Sequence, residues 1–220
     1  MNIKKIIFLL LTLQTGMFLS CKKDQINADG DQTSEVRKPG NFKQVYTSGS
    51  TPIFISYGSE YKIELKGSKN LIARYKTTIS GDELALGYEH LELGKDDLKI
   101  YVTLPLLEKI SLSGSTTIEI HGNFPDQATL LTDISGSGDI ELLGTMKTEN
   151  SKINISGSGD ARFKNMISKN AVLSVSGSGD IWNSVTANLK AGISGSGNIY
   201  YTGEPVVDSG ISGTGRVIKK

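Results

Sequence analysis

A single cysteine, Cys21, stands among the 220 residues, so no disulfide can form within the chain. Histidine is almost as scarce: His90 and His121 are 31 positions apart and fall on different predicted strands. A Ser/His/Asp triad would have to be assembled from such isolated parts. No Gly-x-Ser-x-Gly elbow, His-Glu-x-x-His run or phosphate-binding loop occurs. Excess charge of one sign is missing too. The net charge is +1, and removing residues 1–20, which hold Lys4 and Lys5 and no acid, leaves −1. A near-neutral protein offers no electrostatic footprint for nucleic acid, which is not expected as a partner. Prolines number five against 25 glycines, a balance that favours many tight turns over a disordered proline-rich chain.

Long apolar runs are absent as well. The only early one, Ile6 to Leu13, is far short of the ~20 residues a membrane span needs. It follows Lys4-Lys5 and precedes Phe18-Leu19-Ser20-Cys21. That order reads as a signal peptide over residues 1–20, and its end resembles a bacterial lipobox. The resemblance implies cleavage after Ser20 and lipidation of Cys21, which would hold the protein to a membrane. Residues 21–39 are polar, mixed in charge and without apolar period, and predict a flexible tether.

From residue 40 the pattern is that of strands. Val45 to Tyr57, Tyr61 to Leu65 and Leu98 to Leu104 run or alternate apolar at strand length, punctuated by glycines. Residues 69–75 allow one helical turn, and no long amphipathic helix appears. The decisive feature is a repeat. Ile134-Ser-Gly-Ser-Gly-Asp-Ile140 recurs at 155–161, 175–181 and 193–199, with looser copies at 112–118 and 211–217. The first glycines lie at 114, 136, 157, 177, 195 and 213, giving steps of 22, 21, 20, 18 and 18. A period near 20 predicts stacked units, none of which can bury its apolar side alone. The fold expected for residues 40–220 is all-β, a single-stranded parallel β-helix of 18–22 residues per coil. The irregular first and last copies are candidates for end caps.

Parity assigns the faces. Ile153, Ile155, Gly157, Gly159, Ala161 and Phe163 share one parity and are expected inside, while Asn154, Ser156, Ser158, Asp160 and Arg162 share the other. The motif glycines Gly136/Gly138, Gly157/Gly159, Gly177/Gly179 and Gly195/Gly197 are therefore structural turn residues facing in, where they allow a corner or a close backbone approach. Asp139, Asp160, Asp180 and Asn198 form an outward column. Calcium-binding β-rolls use a nine-residue period with an adjacent Gly-Gly; here the period is about twice that and the double glycine is absent, so the column is read as bonding local backbone in the turn. No metal or cofactor is assigned.

Taken together, Gly40-Asn-Phe-Lys-Gln-Val45, Val102-Thr-Leu-Pro105 and the Ser-Gly-Ser-Gly-Asp/Asn repeats resemble the putative auto-transporter adhesin head GIN domain family of Bacteroidetes-type lipoproteins. The resemblance covers residues 40–220. It implies a β-helix, usually right-handed, in an envelope lipoprotein of the outer membrane, on its periplasmic or surface side; it implies no particular activity. Two residues beyond each Asp position lie Glu119, Glu141, Arg162, Trp182, Tyr200 and Ile218. In-register stacking would set Arg162, Trp182 and Tyr200 in series on the outside, a candidate ligand-binding platform. The function expected is thus a lipid-anchored binding or adhesion module for a glycan or an envelope protein, and not an enzyme. A purely structural scaffold is the alternative, and a carbohydrate-active β-helix enzyme comes third.

Overall fold

The computed structural model describes residues 25–89 and 91–220. The segment expected as a signal peptide, Cys21, the start of the expected tether and His90 lie outside the described residues. From residue 109 onward the chain winds as a parallel β-solenoid. Strand Lys109–Gly114 pairs with Gln127–Gly136, which pairs with Met146–Gly157, then Ala161–Gly177, Ile181–Gly195 and Val206–Gly213. The register sets equivalent motif residues side by side: Gly136 on Gly157, Gly157 on Gly177, Gly177 on Gly195, Gly195 on Gly213. Coil shortening from 20 to 18 residues is absorbed by register shifts between Phe163/Ile167 and Ser168/Asn170.

Alternation explains the interior. Leu112, Ile134, Ile155, Val175 and Ile193 lie in one inward row, and Ile118, Ile140, Ala161, Ile181 and Ile199 in another, all of them buried. Burying each of the larger side chains contributes about 1.5–3 kcal/mol, and only the stack as a whole provides that environment.

The sequence before residue 109 departs from the repeat. The run expected as one strand from Val45 to Tyr57 is two, Gln44–Gly49 and Ile53–Tyr57, bent at Gly49 with φ +116°. Both lie in register on the next coil, Gly49 beside Gly114 and Ile53 beside Ile118. Their other edges are covered by Glu83–Tyr88 and Lys99–Leu104. The coil formed first in the sequence is therefore second in the stack. Antiparallel strands close this end: Tyr75–Ser80 pairs with Glu83–Tyr88, and Lys62–Ser68 with Lys99–Leu104. A single helical turn, Lys69–Ile72, sits where the sequence allowed one.

Two expectations need correction. The tether does not extend to residue 39, because Gln32–Arg37 is a strand paired antiparallel with Lys62–Ser68. Arg37 anchors it by donating to the Tyr75 and Ile72 carbonyls and the Thr77 hydroxyl, contacts between residues too far apart for local sequence to announce. Nor are the irregular copies both caps. The copy at 112–118 is interior, with a coil on each side. In the last coil, by contrast, Val206–Gly213 is exposed throughout, with Ile211 48% accessible.

Candidate functional site

Each motif turns the chain at a corner, and its two glycines do different things. The first, Gly136, Gly157, Gly177 or Gly195, has φ between +125° and +141°, a conformation that L side chains rarely adopt. The second, Gly138, Gly159, Gly179 or Gly197, is buried and does not take a positive φ. A Cβ there would come within 3.0 Å of the backbone one coil back, at Thr116, Gly138, Gly159 and Gly179 respectively. Of the two reasons the sequence offers for these glycines, the corner torsion applies to the first of each pair, and close approach to the backbone one coil back applies to both. Close stacking of main chain on main chain excludes a side chain at the second glycines; the torsion of the turn does not. The facing-in assignment, conversely, holds fully for these second glycines, whereas the first are half-buried at the corner.

The aspartates form the predicted outward column but bond differently from the expectation. The Asp139 carboxylate accepts the backbone N–H of Asp160, Asp160 that of Asp180, and Asp180 that of Asn198, at 2.9, 2.9 and 2.6 Å. The acceptor reaches the next coil rather than its own turn, because at every corner the neighbouring N–H is presented one coil away. Among the described residues no group of three or more His, Cys, Asp or Glu is gathered as a metal site would need.

Two positions beyond this column runs the row that parity singled out. Arg162 lies beside Glu141 and Trp182, and Trp182 beside Tyr200, as in-register stacking requires. Arg162 bridges Asp139 at 3.0 Å and Asp160 at 2.7 Å. Partial burial opposes its charge, but the Asp139 bond and the charges of Asp139, Asp160 and Glu141 outweigh that, raising its pKa. The Trp182 and Tyr200 rings are stacked, with centroids 5.0 Å apart and planes 12° from parallel. Arg162 and Lys164 stand over Trp182 at 5.9 and 5.6 Å, and Lys220 stands over Tyr200 at 5.1 Å. The two rings cover one face of each other and cations cover the outer faces. The open aromatic platform expected from the sequence is thus a capped ladder that offers its edges.

Those edges wall a shallow groove of about 380 Å³, lined by Lys164, Trp182, Ser184, Tyr200, Thr202 and Lys220 with Asn183 and Tyr201 at its base. Ser184 and Thr202, both in that lining, share a hydroxyl–hydroxyl bond of 2.6 Å. Sequence reading missed Lys164 and Lys220; alternation places Lys164 two residues beyond Arg162, on the same outward face. It also missed that the row continues to a second stacked pair, Phe54 and Tyr101, with centroids 5.0 Å apart and Lys66 over Tyr101. The signal was Ser48-Gly49-Ser50, a further motif copy displaced from the period by the insertion between residues 57 and 109.

The sequence matches the family described as "Putative auto-transporter adhesin, head GIN domain" over residues 41–205. Among solved structures, a putative adhesin from Bacteroides fragilis superposes with a TM-score of 0.71 at 19% identity, covering 89% of this chain and 100% of the other. A putative lipid binding protein from Parabacteroides distasonis gives 0.56 at 19% identity, covering 90% and 100%. A putative adhesin from Parabacteroides merdae gives 0.53 at 18%, covering 90% and 99%. At these identities the likeness is one of fold. A search of curated proteins found no match.

Proposed function

Because the chain belongs to the putative auto-transporter adhesin head GIN domain family, we propose that it is an adhesion-type binding module of the cell envelope whose ligand is a glycan. The lipobox-like Ser20-Cys21 would anchor it as a lipoprotein of the outer membrane through Cys21, and loss of palmitate labelling in Cys21→Ala checks that anchor. The observation that carries the binding reading is the groove beside Trp182 and Tyr200. It combines aromatic edges, paired hydroxyls and cations in one open hollow, at the lower end of the ~300–1,000 Å³ usual for small-ligand sites. Shallow grooves with alternating donors and apolar walls suit sugar rings, whose own surfaces alternate in the same way.

The scaffold alternative predicts something different for the same residues. If the ladder only staples coils together, Trp182→Ala and Tyr200→Ala lower the melting temperature and change no binding. The glycan reading expects each to abolish about nine-tenths of retention on immobilised envelope glycans, with folding stability lowered by only the ~0.5–1.5 kcal/mol of an aromatic pair.

A further inference from the structure

The groove beside Trp182 differs in charge from four other hollows of the surface. Each of those four includes at least one carboxylate: Asp133, Glu108 with Asp126, Asp126 with Glu149, or Asp208. This one is lined by two lysines and no acidic side chain. The neighbouring cations are engaged elsewhere: Arg162 by Asp139 and Asp160, Lys219 by Glu204. Among the described residues, Lys164 and Lys220 take part in no ion pair, and each lies over an aromatic ring at one end of the ladder.

The face is therefore polarised. Carboxylates run down the corner at Asp139, Asp160 and Asp180, where backbone N–H groups and Arg162 hold them. Positive side-chain charge gathers at the far end of the strands, around hydroxyls that donate or accept. Resting on the glycan reading above, we propose that this groove recognises a carboxylate-bearing glycan, with Lys164 and Lys220 meeting its acidic groups and Ser184 and Thr202 its hydroxyls. An acidic peptide fits less well. The groove runs across the coils, perpendicular to the strands, and there the backbone groups already bond coil to coil. A peptide laid along it would find no strand edge to extend.

The test uses the full chain carrying Cys21→Ala, titrated with tetragalacturonate and with its fully methyl-esterified form. The free acid is expected to bind, and to bind less as ionic strength rises. Lys164→Gln and Lys220→Gln should each weaken it about five- to tenfold at unchanged melting temperature, and esterification should weaken it at least as much. Equal affinity for acid and ester, lost in Trp182→Ala, overturns the charge inference and leaves the glycan reading standing. Binding to neither sugar overturns the inference for this groove. So does lysine-dependent binding of polyglutamate, or of phosphatidylglycerol vesicles, that exceeds binding of the sugar.

Discussion

Residues 109–213 and residues 25–104 both pair their strands through the backbone, but they secure that pairing differently. In the repeated coils the contacts are between like residues: glycine lies on glycine, aspartate accepts from the next aspartate, and one parallel register serves from Gly114 to Gly213. The backbone itself is the joint. The capped end has backbone ladders too, but locks them with single side chains. Arg37 makes three bonds to residues 72, 75 and 77, and Asp97 accepts from the Ser68 N–H and hydroxyl and from Gln32. A repeating joint tolerates many coils but no side chain at the contact. A locked cap tolerates side chains but depends on each one.

The largest expected effect breaks the first kind of joint. Gly159→Ala places a Cβ against the Gly138 backbone, and no rotamer change relieves a clash between a Cβ and main chain. We expect a loss of about 3 kcal/mol in urea unfolding. Gly179→Ala, which meets the Gly159 backbone in the same way, should lose as much. Gly192→Ala, on the same solenoid but with nothing nearer than the Ser174 hydroxyl at 3.9 Å, should lie within ~0.5 kcal/mol of the parent. In the capped region Gly81→Ala meets nothing within 4 Å and bears only its positive φ of +59°, at a cost of about 1 kcal/mol. Equal losses at Gly159 and Gly192 would show that the coils do not depend on glycine contacts.

The same contrast decides what the sequence disclosed. A joint between like residues writes itself into the chain as a period, so the coils, the register and the Arg162–Trp182–Tyr200 row were legible from spacing and parity. A lock between Arg37 and Tyr75, or between Gln32 and Asp97, leaves no pattern, since each partner occurs once and far away. That is why residues 32–37 read as tether. The groove was half legible. Parity gave the positions of the aromatic rings but not the direction of their planes, which depends on side-chain torsions that only the neighbouring coils fix. The Phe54–Tyr101 pair was hidden because the chain visits the second coil of the stack before the first.

Acid should expose the smallest difference, and it bears on the locks. Burial works against the Asp97 charge, but the Ser68 backbone N–H, the Ser68 hydroxyl and the Gln32 amide outweigh it and hold the carboxyl below its ordinary value. A carboxyl whose folded pKa lies below its unfolded one, ~3.9 for Asp, contributes stability that is fully present above the unfolded value. That contribution is lost as pH falls through the folded value. No change is therefore expected between neutrality and about pH 5. Below about pH 4, protection against amide exchange, taken relative to the intrinsic rate at each pH, should fall at residues 32–37 and 62–68 before it does in the ladders joining 151–157, 171–177 and 189–195, whose backbone bonds contain no titrating group. Asp97→Asn keeps one acceptor oxygen and removes the charge, so it should start with less protection at residues 32–37 and show a flatter acid response. If the variant keeps the full response, Asp97 is not the group that senses acid; if both regions open together, the cap is not a separate unit from the coils it closes.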